Sequence, residues 1–143
     1  MNGYMNMGCG WDRIENLLWR VQHGELDGYK AERVVVMIGT NNLAMDSNED
    51  IVDGIEFLLA NVRARQPEAM IRVVGLLPRR GQEERIKEVN IRLRRMAQLG
   101  GYDYVDVGER LLQADGKINE GYFTDGLHPN NAGYSRIVEQ ITR

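Results

Sequence analysis

The sequence predicts an α/β protein built on a parallel sheet. Short apolar runs alternate with stretches of helical periodicity in the order β-α-β-α-β-α-β-loop-α, the signature of a doubly wound domain. One run, Val34–Ile38, is unbroken and rich in β-branched residues, as in a strand covered on both faces. The chain has 143 residues with no repeat, low-complexity tract or composition shift, so residues 1–143 read as one domain.

Tyr4–Met7 is the first strand candidate. Asp12–Gln22 follows as a helix, with Ile14, Leu17, Leu18 and Val21 at i, i+3, i+4 and i+7 and Gly24 as its stop. After Val34–Ile38, Asp46 or Ser47 opens the next helix, and Asp50 stands three residues beyond Ser47 as in a capping box. Its stripe is Ile51, Val52, Ile55, Leu58, Leu59 and Val62, and Pro67 lies past its end. Ile71–Leu77 is a strand stopped by Pro78. Glu83–Leu99 is a helix on Ile86, Val89, Leu93, Met96 and Ala97, ended by Gly100-Gly101. Tyr104–Val107 is the fourth strand, and Asn130–Ile141 the last helix.

Composition narrows the function. The 18 basic and 21 acidic residues leave a net charge of −3, and no basic arm or face predicts nucleic acid as a partner. Apolar runs fall far short of the roughly 18 residues of a membrane span. One cysteine, Cys9, excludes an internal disulfide framework and a Cys-rich zinc site, and two histidines, His23 and His128, leave little for a metal. No cofactor is expected. Nothing at the start reads as a signal peptide. The compartment stays open: cytoplasmic if Met1 is the start, secreted or periplasmic if a segment precedes it.

Ligands of open parallel sheets sit beyond the carboxyl ends of the strands. There the chain places Gly8-Cys9-Gly10-Trp11-Asp12, then Gly39-Thr40-Asn41-Asn42, then Pro78-Arg79-Arg80-Gly81, then Asp125-Gly126-Leu127-His128-Pro129. Asp125, three residues before His128, can hold the imidazole N–H and leave the other nitrogen as a base; Pro129 keeps His128 out of the following helix. The plain alternative is a turn-capping Asp beside a solvated His. Asn41 can aim an amide at a developing oxyanion, or serve only as a turn former. The glycines of Gly8–Asp12 can bind an anion at a helix start, but they lack the spacing of a nucleotide loop. Cys9 reads as a small buried hydrophobe rather than a reactive thiol.

Together, Asn6-x-Gly8, Asp12, Asn16-Leu17-Leu18-Trp19-Arg20, the GTNN of 39–42, Gly75-Leu76-Leu77-Pro78 and Asp125-x-x-His128-Pro129 resemble the SGNH (GDSL-type) hydrolase family. The likeness runs from Asn6 to the end and is closest to the branch holding the platelet-activating-factor acetylhydrolase catalytic subunits. It implies a flavodoxin-like three-layer α/β/α fold and metal-free hydrolysis of small acetyl or short acyl esters of lipid or carbohydrate. By the same resemblance His128 is the general base, Asp125 its orienting partner and Asn41 an oxyanion-hole donor. The second donor is the backbone N–H before Asp12. Where the family has Gly before that Asp, this chain has Trp11, and Gly10 is the substitute donor.

The family's nucleophilic Ser stands in a GDS motif after the family's first strand, and this chain contains no GDS. Its two serines, Ser47 and Ser135, read as a helix cap and a helix residue, and Thr40 as a turn residue. The chain is thus expected to lack the nucleophile and the central first strand, leaving Tyr4–Met7 without a neighbour on one side and the edge of Val34–Ile38 open. An open edge invites self-association or strand exchange. Three accounts compete: a fragment or mis-started frame, completion by another chain, or a non-catalytic remnant. Besides the esterase, a non-catalytic binding or assembly module and a phosphorylated-ligand binder at Gly8–Asp12 remain in view.

Overall fold

A computed structural model describes residues 4–7, 13–28 and 30–143. Four parallel strands, β1 (Tyr4–Met7), β2 (Arg33–Val36), β3 (Met70–Val74) and β4 (Asp103–Val105), lie in the order β1-β2-β3-β4. Four helices connect or follow them: α1 (Ile14–Gln22), α2 (Asn48–Arg65), α3 (Glu83–Gly100) and α4 (Asn131–Thr142).

The pleat divides the core in two, because successive strand side chains point to opposite faces. Val34, Val36, Ile71 and Val73 pack with the apolar stripes of α1, α2 and α3. Val35 and Val74 pack on the other face with Ile137 and Ile141 of α4 and with Leu111, Ile118 and Phe123 of the long connection. The three valines of β2 are 1% exposed or less, as a strand sandwiched between helix layers requires. This is the expected three-layer α/β/α architecture.

Element ends differ from the sequence reading where side chains replace the ladder. Leu76 and Leu77 continue the apolar run of β3, yet the strand stops at Val74. The buried amide of Asn90 on α3 accepts from Leu76 N at 2.8 Å and donates to Leu76 O at 3.0 Å, so this backbone needs no strand partner. At the start of α2, Ser47 Oγ accepts from Asp50 N at 3.1 Å, as its spacing predicts. Asp12, the expected start of the first helix, lies outside the described residues; Arg13 is the cap.

The edge expected to be open on β2 is covered. β1 pairs with it in parallel register, Tyr4 opposite Arg33 and Met7 opposite Val36. A strand without a neighbour on one side satisfies its backbone on the nearest available edge, and β2 supplies that edge. Among the described residues no helix is long and apolar enough to cross a membrane.

Candidate active site

His128 and Asp125 are brought together by a tight turn ahead of α4. Gly126 takes φ +78°, a left-handed conformation, and a Cβ there would sit 2.6 Å from Cζ of Arg80. With the chain turned at Gly126, Asp125 Oδ1 accepts from Leu127 N at 2.9 Å and from His128 N at 2.7 Å. The other oxygen, Oδ2, lies 2.8 Å from His128 Nδ1. One carboxylate therefore fixes both the loop and the ring. These hydrogen bonds hold the Asp125 carboxyl well below the usual carboxylate range: the His128 N–H contributes most, then the His128 ring, then the Leu127 N–H. An ionised Oδ2 can only accept, so Nδ1 carries the ring proton.

The loop is closed from behind. Thr124 donates through both N and Oγ1 to His128 O, at 2.9 and 3.0 Å, and Phe123 bridges Pro129. Asn130 then caps α4, accepting from Gly133 N at 3.0 Å. His128 thus stands ahead of the helix rather than on its flank, and its side chain is 36% exposed.

Asn41 lies in the 3-10 turn Thr40–Asn42 that follows β2. Gly39 enters the turn at φ +118°, and a Cβ there would press on Ile55 and Leu76 at 3.3 Å. The next asparagine does different work. Asn42 is 1% exposed; its Oδ1 accepts from Ile14 N at 2.9 Å, and its Nδ2 donates to Glu15 at 2.6 Å and Asp46 at 2.8 Å. It ties the start of α1 to the GTNN turn. Sequence reading singled out Asn41 alone; the doubled Asn was the visible signal for a structural partner beside it.

The segment after β3 joins the two turns. Arg80 N donates to Gly126 O at 2.8 Å, and its guanidinium is held by both oxygens of Glu120 at 2.8 and 2.6 Å. From the neighbouring residue, Arg79 Nη1 donates to Thr40 O at 3.2 Å. This Arg-Arg pair was visible in the sequence at the carboxyl end of a strand but was given no role there. Gly10 and Trp11, the expected second-donor positions, and Cys9 with the rest of the Gly8–Asp12 loop lie outside the described residues. Ser47 Oγ is engaged at the α2 cap, and Ser135 Oγ donates to Asn131 O at 2.8 Å within α4. Among the described residues no three His, Cys, Asp or Glu side chains group as metal ligands. A groove of about 480 Å³ opens elsewhere, between α3 and the segment after β4, lined by Lys87, Arg94, Tyr104 and Glu109 among others; neither Asp125 nor His128 lines it.

Residues 2–136 match the GDSL-like lipase/acylhydrolase family. The chain is 31% identical over 142 residues to platelet-activating factor acetylhydrolase IB subunit alpha2 of Rattus norvegicus, and 33% identical over 142 residues to subunit alpha1 of Bos taurus. Each match covers 96% of this chain and 62% or 61% of the relative, so the chain spans about three fifths of the length of these relatives. In fold it is similar to a GDSL-like lipase from Bacteroides thetaiotaomicron, with a TM-score of 0.81 and 19% identity over 98% of this chain and 73% of that one. It is also similar to the OSK domain of Drosophila Oskar, with a TM-score of 0.70 and 12% identity over 89% of this chain and 67% of that one.

Proposed function

The chain belongs to the GDSL-like lipase/acylhydrolase family, and from that premise we propose that it carries the general-base half of a site for hydrolysing small acyl esters. The observation behind this reading is the Asp125 carboxylate, pinned by two backbone N–H groups and set 2.8 Å from His128 Nδ1. An imidazole held in the Nδ1–H form presents Nε2 as the base.

In the proposed reaction Nε2 takes a proton from the attacking hydroxyl as its oxygen bonds to the acyl carbon. The carbonyl electrons move onto oxygen, and the Asn41 amide donates to that oxyanion. Collapse restores the carbonyl and breaks the ester C–O bond, and the imidazolium returns its proton to the departing alcohol. The second oxyanion donor, by family likeness, is the backbone N–H of Trp11, with Gly10 as substitute. Acetyl and short acyl esters of lipids or carbohydrates are the proposed substrate class. Ser47 and Ser135 are not assigned as nucleophile, since both hydroxyls serve their own helices; the proposed attacking hydroxyl, in the absence of the family's GDS serine, is that of a water molecule.

That same assignment of the two serines favours a second reading, a binding or assembly module that keeps the fold without turnover. Hydrolysis of p-nitrophenyl acetate separates the two. The esterase reading predicts a rate above buffer that falls about 100-fold in His128→Ala, the lower end of what a general base contributes. A wild-type rate equal to buffer, or an unchanged rate in His128→Ala, would refute it. A fluorophosphonate probe should leave the chain unlabelled; a label on Ser47 or Ser135 would overturn their assignment.

A further inference from the structure

Three arginines gather at the rim of the sheet, and two of them have side-chain partners that account for their placement. Arg80 is paired with Glu120 through two hydrogen bonds. Arg85 donates to Leu43 O and Asp46 O, and through Nε to Asn48 Oδ1 at 2.8 Å, so its guanidinium closes the loop between the GTNN turn and α2. Arg79 differs. It is half-buried, its one side-chain hydrogen bond goes to the neutral carbonyl of Thr40, and among the described residues no carboxylate pairs with it.

Its position is set from both ends. The Arg79–Arg80 peptide lies against the Asp125–His128 turn, because Arg80 N donates to Gly126 O. The far end of the Arg79 side chain reaches Thr40 O, in the peptide that leads into Asn41. The side chain therefore spans the interval between the proposed base and the proposed oxyanion donor. With Nη1 on Thr40, the Nε–Nη2 edge remains, a planar two-donor fork that matches two oxygens of a carboxylate or phosphate. A half-buried arginine with no carboxylate partner among the described residues is a poor arrangement for stability alone, and an anion bound at its remaining edge would supply one.

We propose that Arg79 is an anion-binding residue of this rim, and that it selects esters carrying a carboxylate or phosphate near the acyl group. The binding of an anion stands by itself; its meaning as substrate selection rests on the esterase reading. The probes are sodium acetate and sodium phosphate, titrated at constant ionic strength made up with sodium chloride. NMR follows the Arg79 Nε–H and Asn41 amide resonances of the wild-type chain.

A saturable shift is expected with at least one of the two anions. Saturation by acetate alone identifies carboxylate-bearing ligands, and by phosphate alone phosphate-bearing ones. Arg79→Gln should weaken the affinity about tenfold, the loss of one charge-assisted contact. Arg92→Gln, which removes the same charge from the exposed face of α3, should leave it unchanged. Shifts that rise only linearly with the concentration of both anions, or equal affinity in Arg79→Gln, would overturn the assignment. If Arg79→Gln fails to fold, saturation of the wild-type Arg79 Nε–H signal still decides. No bond is cleaved in this titration, so its failure leaves the esterase reading standing, and a failed esterase assay leaves the anion site standing.

Discussion

The Asp125 carboxylate works on its own loop before it works on any substrate: one oxygen gathers two backbone N–H groups and the other orients a ring. The pairing was legible because three-residue spacing ahead of a proline brings a carboxylate back to an imidazole. The third contact, from Leu127 N, depends on the turn at Gly126 and could not be read from spacing. These contacts favour the ionised form, so the folded-state pKa lies below the unfolded one. Asp125 therefore adds stability that is complete above the free carboxyl value near 4 and is lost as pH falls through the lower folded value. Carbon-13 NMR of the Asp125 carboxyl should show it still ionised as free aspartates titrate; a midpoint at about 4 would contradict the bonding described.

Helices and strands were legible wherever apolar periodicity set them, and their ends drifted where a single side chain decided. Asn90 shows why β3 stops early: a buried amide that bonds a backbone on both sides looks, in sequence, like any polar residue within a helix. Asn42 is the other case, joining α1 to the turn after β2 through two hydrogen bonds and reaching Asp46, ahead of α2, through a third. Replacing it with Ala removes the acceptor of Ile14 N and leaves the Glu15 and Asp46 carboxylates without their shared donor. The expected loss is about 2 kcal/mol, chiefly the cost of stranding the buried Ile14 N–H, since both carboxylates can turn to water. Urea unfolding of Asn42→Ala measures it; a loss below about 0.5 kcal/mol would show that α1 does not depend on this brace.

At the scale of the molecule, two helix layers press on one parallel sheet and send three connections to the same rim. The layers follow from the unbroken apolar run of β2, whose valines alternate between the two faces and are buried on both, and that run is plain in the sequence. Strand order was less legible: the expected gap beside β2 is filled by β1, because hydrogen-bonding need rather than residue identity chooses a strand's neighbour. Among the described residues the outer strands of the sheet are then β1 and β4, and strand exchange, if it occurs, has those two edges to use. The proposed function depends on what the rim presents, and the proposed centre is an imidazole set 2.8 Å from a carboxylate. Long-range nitrogen-15 correlation of neutral His128 in the folded chain reads that directly. The expected result is a protonated Nδ1 and a proton-free Nε2, reverting when urea unfolds the chain. A dominant Nε2–H form in the folded chain would contradict the account.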